Sequence, residues 1–235
     1  MGDTMLEQAL RETARVQDGR VPLLDLHLQR LAAGGCGGDT LRRASITAGE
    51  LAARWLRPYG RLTLLVETDG HVHAEISDVP SSIDIAGGPV VALVETDTPR
   101  LPPGAAKPAD RAFWDAALAT AQEAGAHVAV LVGHDGHLID GSQATVWLVR
   151  DGALRTPPSP PALAGVSRAL VLGVIAPQTG LSARDSTLTR DDFESADEVV
   201  LTTAVAGARA VKGRGGHVAQ VLAAQFDRAF GIGGG

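Results

Sequence analysis

Cysteine is nearly absent from this 235-residue chain, Cys36 being the only one. An intramolecular disulfide is therefore excluded, any zinc site would have to be built from His and carboxylates, and a reducing cytoplasm is the expected compartment. Aromatic residues are scarce as well: three Trp, one Tyr and four Phe are too few for a platform that stacks successive bases. Positive charge is not in excess, since 21 Lys and Arg face 27 Asp and Glu for a net charge of −6 and a pI near 5.6. Such a balance offers nothing to neutralise a phosphate backbone, so nucleic acid is not an expected partner. Long hydrophobic runs are missing too. The first twenty residues mix acids and bases, and the longest apolar stretch lies near Ala169 to Pro177, short of the ~20 residues of a membrane-spanning helix. Neither a secretory signal nor a membrane segment is expected. What the chain does have, 45% hydrophobic and 20% charged residues, is a globular composition that buries roughly 70% of the unfolded surface.

Punctuation along the chain suggests two halves. The opening segment fits neither period clearly, but Leu24, Leu28, Leu31 and Ala32 recur at helical spacing until Gly34-Gly35. Thr47-Ala-Gly-Glu50 has the form of a capping box and predicts a second helix through Leu51 and Trp55 to about Leu56. Arg61 to Glu67 and His71 to Val79 flank Asp69-Gly70 and predict a hairpin, with Val90 to Glu95 as a strand closing this block. The run Pro-Arg-Leu-Pro-Pro at 99–103 loses three amide donors to proline and is stiff, which gives a small domain at 1–98, a connection at 99–106 and a larger domain at 107–235. In the second half a helix from about Ala109 carries Phe113, Ala116, Ala117, Thr120 and Ala121 on one face and ends at Gly125. A meander of His127 to Val132, Leu138 to Val149 and Leu154 to Thr156 follows. Gly165-Val-Ser-Arg168 opens a helix, Glu198 to Thr203 is a buried strand, and a closing helix from His217 precedes a glycine tail.

Several familiar chemistries lack their residues. The seven histidines include His71 and His73 on one strand and His134 and His137 straddling a turn, so no metal is expected. Lys212-Gly-Arg-Gly-Gly216 lacks the GxxxxGK[ST] order that meets a nucleotide and reads as a solvated loop. No G-x-S-x-G elbow is present, and Ser142 follows a single Gly.

Six segments in order carry more information: LLDLHLQRL at 23–31, KPADR at 107–111, LIDGSQATVWLV at 138–149, TPP at 156–158, GVSR at 165–168 and LTTAVAGARAV at 201–211. Together they resemble the class IV aminotransferases, the fold-type IV enzymes that use pyridoxal 5′-phosphate. Residues 12–31 and the Lys-x-Ala-Asp-Arg form look most like the 4-amino-4-deoxychorismate lyases of that family. The resemblance implies a two-domain α/β (α+β) fold with the site in the cleft, a homodimer, and a small-molecule substrate. The implied reaction yields 4-aminobenzoate and pyruvate, a step of folate biosynthesis; an aminotransferase of D-amino acid or branched-chain type and a non-catalytic homologue are the alternatives.

The residue chemistry suits that cofactor, a phosphate dianion on an aromatic ring bearing an aldehyde: it asks for a cation and aligned amides, an acid at the ring nitrogen and a lysine. The resemblance assigns Arg30 to the phosphate, where a guanidinium offers matching fork geometry. Val166 and Ser167, at a helix start with free N–H groups, and Thr203 and Ala204, at a strand end, would complete that cradle. Lys107 is the implied Schiff-base lysine and acid–base catalyst, a role that needs burial beside other cations to free its amine. Asp140 stands where the family usually has glutamate, opposite the ring nitrogen. Thr13, in a strand region, and Arg209, on a loop near the phosphate segment, are the implied substrate contacts. Departures are Thr145 for the usual asparagine and Ala112 for a tyrosine of the branched-chain enzymes, with Tyr59 the single tyrosine of the chain.

Overall fold

The computed structural model describes residues 5–79 and 85–232; the last three glycines of the expected tail lie outside that range. The chain opens on a strand that the sequence left unassigned, β1 (Leu10–Gln17), whose residues alternate between buried and half-buried. Leu10, Glu12, Ala14 and Val16 point into the core, and Arg11, Thr13, Arg15 and Gln17 point the other way. A charge at Glu12 on the inner face masks the period-2 signal. Helices α1 (Leu24–Ala33) and α2 (Gly38–Arg54) follow. Here the capping-box expectation fails: α2 starts at Gly38, nine residues before Thr47, so Thr47 and Glu50 sit inside it. Ala44, Ala48 and Ala52, fully buried at i, i+4 spacing, dock the helix on the sheet and outweigh the local cap signal.

The hairpin of β2 (Tyr59–Val66) and β3 (Val72–Ser77) forms as expected about Gly70, whose φ of 81° is the left-handed conformation that glycine adopts without strain. With β1 it makes an antiparallel sheet of order β1-β2-β3. The next strand, β4 (Val91–Glu95), does not close this block. It runs parallel to β5 (Val128–Val132), the strand after α3 (Ala112–Glu123), and so belongs to the sheet of the second half. A strand–helix–strand crossover of this kind is invisible to local pattern. Within α3 the buried residues are Trp114, Ala117 and Ala121, so the inward face is turned from the expected Phe113 and Ala116 toward the larger indole.

The expected meander is also divided. β6 (Leu138–Gly141) pairs with β5, whereas β7 (Thr145–Arg150) and β8 (Ala153–Thr156) belong to another sheet, and residues 142–144 carry the chain across. That crossing turns the backbone toward the site. The helix from Val166 runs through α4 (Val166–Leu170), a π-helical turn at Val171–Ile175 and α5 (Ala176–Thr179). Then come β9 (Ala183–Asp185), α6 (Arg190–Ser195), β10 (Glu198–Thr203), β11 (Gly207–Ala210) and α7 (His217–Phe230). The five-stranded sheet has order β11-β10-β7-β8-β9, and its core holds Trp147, Val200, Leu222 and Phe226. No helix among the described residues is long and apolar enough to cross a membrane, and none of their His, Cys, Asp and Glu side chains group to hold a metal ion.

Candidate active site

The free edge of β1 joins the two halves. Arg11 N–H donates to Lys107 O at 2.9 Å and Arg15 N–H to Ala204 O at 3.2 Å, so two distant segments are seated on one strand with Thr13 between them. Because alternate residues of a strand share a face, Arg11 and Thr13 then look into the same space. That space is a cavity of about 260 Å³. Every site residue expected from the sequence lines it: Thr13 and Arg30 from β1 and α1, Lys107 from the stretch before α3, Asp140, Val166 and Ser167 from β6 and α4, and Thr203, Ala204 and Arg209 from β10, the turn after it and β11. One placement differs from expectation, because Arg209 lies on β11, paired with Leu201, rather than on a loop.

Lys107 is half-buried, and its Nζ donates to Thr13 Oγ1 at 3.2 Å without an ion pair to any described carboxylate. Burial disfavours the ammonium, and Arg111 and Arg30 repel it further, so its pKa falls from 10.5 to about 7. A substantial share of the amine is then neutral and nucleophilic at physiological pH. Asp140 lines the same cavity. Its two oxygens accept N–H groups of Gly141 (2.9 Å) and Leu163 (3.1 Å), yet burial dominates and lifts its pKa to about 7. A cation or ring N–H placed against it would hold it ionised.

Arg30 brings an unexpected arrangement. Its Nε and Nη2 donate to the two oxygens of Glu12 at 2.8 and 2.5 Å, and Nη1 donates to Ala164 O at 3.2 Å. Glu12 therefore occupies the guanidinium fork expected for phosphate, leaving the second hydrogens of Nη1 and Nη2 toward the cavity. Burial would raise the Glu12 pKa, but Arg30 and His27 together outweigh it and hold the carboxyl at about 2. Burial keeps His27 neutral, so its Nδ1 carries the proton donated to Glu12 at 2.6 Å. Glu12 and His27 are legible in the sequence only once β1 is recognised, since one sits on its inner face and the other on α1.

Backbone amides complete the phosphate-sized end. Val166 and Ser167 open their helix after Gly165, so their N–H groups have no intrahelical acceptor. The Ser167 hydroxyl is committed to Thr202 O at 3.0 Å, which leaves the amide as the group free for an anion. A Cβ on Gly165 would stand 2.6 Å from Thr145 Oγ1, so glycine is required for this wall. Thr203 Oγ1 accepts from Ala206 N at 2.8 Å and fixes the turn between β10 and β11. The donor set thus fits a phosphorylated, aldehyde-bearing aromatic group: helix-start amides and Arg30 for phosphate, a buried acid for a ring nitrogen, and an amine unpaired with any acid. Arg11 and Arg111, which the sequence reading did not single out, line the same cavity.

The family comparison agrees with this geometry. The model of the amino-transferase class IV family matches residues 45–213, well over half of the chain, and the chain belongs to that family. A branched-chain-amino-acid aminotransferase of Pseudomonas aeruginosa is 30% identical over 121 residues, 47% of this chain and only 39% of that relative, so the match spans less than half of its length. A hypothetical aminotransferase from Mycobacterium tuberculosis, solved in its pyridoxal-phosphate-bound form, superposes with a TM-score of 0.80 at 24% identity over 95% of this chain and 89% of that one. A provisionally assigned 4-amino-4-deoxychorismate lyase gives a TM-score of 0.77 at 23% identity, covering 93% of this chain and 89% of that one. The fold is that of the fold-type IV aminotransferases.

Proposed function

We propose that this chain is a pyridoxal-phosphate-dependent lyase that converts 4-amino-4-deoxychorismate to 4-aminobenzoate and pyruvate. The observation that carries the reading is the half-buried Lys107 amine, unpaired with any acid and 3.2 Å from the Thr13 hydroxyl. Arg30, the amides of Val166 and Ser167, and the turn at Thr203 and Ala204 would hold the cofactor's phosphate, and Asp140 its ring nitrogen. When bound, the cofactor supplies an electron sink conjugated to the substrate nitrogen. Lys107 takes the proton from the carbon bearing that nitrogen, because its lowered pKa of about 7 leaves a substantial share of the amine neutral. Thr13 then offers a hydroxyl through which Lys107 returns a proton to the departing enolpyruvyl oxygen. Arg209, on the wall near Thr203, is placed to meet a substrate carboxylate.

The likeness of residues 12–31 and of Lys107-Pro-Ala-Asp-Arg111 to the lyases supports this choice. The Pseudomonas relative favours the second reading, an aminotransferase. As in the family, a homodimer would complete the pocket, two domains joined through residues 99–106 would frame the cleft, with β4 counted in the second because it pairs with β5, and the single buried free thiol of Cys36 suits a reducing cytoplasm. Stoichiometry decides. The lyase gives equal pyruvate and 4-aminobenzoate from 4-amino-4-deoxychorismate alone, over many turnovers. An aminotransferase stops after one turnover with an amino acid alone and resumes when a 2-oxo acid is added. Sustained amino transfer with no pyruvate from aminodeoxychorismate overturns the lyase reading.

A further inference from the structure

The charges around Lys107 do not balance. Arg30 is neutralised by Glu12 beneath it, and the Arg30 end already faces the helix-start amides. Arg11 and Arg111 have no such counter-ion. The Arg11 guanidinium makes no hydrogen bond or ion pair among the described residues, and its Nε is buried without a partner. Its backbone N–H is tied to Lys107 O at 2.9 Å, which fixes where on β1 its side chain departs, on the same face as Thr13. Arg111 is held from two sides, by Nη2 donating to Ser142 O at 2.6 Å and by stacking over Trp114 at 4.7 Å. Neither contact supplies a negative charge; Asp115 is the acid that acts on it most strongly, from the exposed face of α3. Two guanidiniums and an amine thus line a cavity whose only lining carboxyl among the described residues, Asp140, has both oxygens bonded to backbone N–H. Burying like charges together is costly unless an anion joins them.

We propose that Arg11 and Arg111 form an anion subsite beside Lys107 that takes a carboxylate of the substrate and selects dicarboxylic over monocarboxylic substrates. The subsite rests on the proposed cofactor-dependent function for its purpose, though not for its existence. A planar fork from each arginine matches carboxylate geometry, which an apolar side chain cannot use. Arg11 is then the specificity-determining residue, free until substrate arrives, and Arg111 the pre-positioned one.

The probes are glutarate and valerate, of equal carbon number, titrated by calorimetry into pyridoxal-phosphate-loaded protein and into the unloaded protein. Glutarate is expected to bind at least tenfold tighter than valerate. Arg11→Gln, which breaks no bond within the protein, should weaken glutarate about tenfold and remove the preference, with melting temperature not lowered and cofactor loading unchanged. Arg111→Lys keeps the charge without the fork and should fall between. Equal affinities in the wild type, retention of the preference in Arg11→Gln, or displacement of glutarate from unloaded protein by inorganic phosphate would each overturn the subsite. Failure of the wild type to load pyridoxal phosphate would instead remove the proposed function, and the titration of unloaded protein would still decide the subsite.

Discussion

The chain contains two lysines, and their surroundings could hardly differ more. Lys212 stands exposed in the loop between β11 and α7, in a glycine-rich stretch that imitates a phosphate loop, with its backbone N–H on Pro89 O. Lys107 is half-buried against β1, within hydrogen-bond reach of Thr13 and repelled by Arg111 and Arg30. The same side chain is exposed in one place and drawn in beside other cations in the other. Composition of the neighbouring sequence does not make that difference. Burial and the sign of nearby charge do.

The comparison breaks most directly at Lys107 itself. Lys107→Ala should lower turnover by ~10⁴-fold, the upper range for a positioned acid–base group, and abolish borohydride-fixed cofactor, while Lys212→Ala changes neither. Peptide mass mapping checks both, and cofactor fixed at Lys212 in the Lys107 variant would return Lys107 to a structural role.

The neighbours that set the Lys107 environment come next. Arg30→Ala strands a buried Glu12 carboxylate, so the protein should lose about 3–5 kcal/mol in chemical denaturation as well as affinity for the cofactor. A merely solvated arginine would cost neither. Restoring most of the stability with Glu12→Gln added to Arg30→Ala would sharpen the assignment of that loss to the stranded charge. Glu12 also leaves a pH signature. Its folded pKa of about 2 lies below the ordinary 4.5, so its stabilisation is full above pH 4.5 and is lost as pH falls toward 2. Glu12→Gln should flatten that limb of the stability profile by on the order of 3 kcal/mol.

Asp140→Asn is the smallest of these effects. It should reduce turnover on the order of a hundredfold, as expected for one electrostatic group facing developing charge, with cofactor affinity changed only a few-fold because the phosphate end is untouched. Visible-range titration with the cofactor separates the two quantities, and unaltered turnover would make Asp140 an ordinary strand residue.

Ordered motifs picked out residues that the fold brings together, whereas periodicity misplaced several elements. The nine residues assigned from six short segments all line one cavity, although they come from β1, α1, β6, α4, β10 and β11 and the stretch before α3. What stayed hidden depends on tertiary pairing. The inward charge of Glu12 disguised β1, the alanine ladder of α2 overrode the Thr47 cap, and β4 joined the far sheet through a crossover that no local window spans. Arg30 was legible as a site residue, but its pairing with Glu12 was not, because that contact needs β1 and α1 packed together.

The central claim is that burial and charge make Lys107 the reacting amine, and the two lysines of one sample test it together. Unloaded protein is exposed to pyridoxal phosphate for a fixed short time across pH 5 to 10, reduced with borohydride, and both lysines are quantified by peptide mass. The account predicts that fixation at Lys107 rises with pH about a midpoint near 7, as its amine loses a proton, and far exceeds fixation at Lys212 throughout. Equal labelling of the two lysines, or a Lys107 midpoint near the ordinary lysine value of about 10.4, would contradict it.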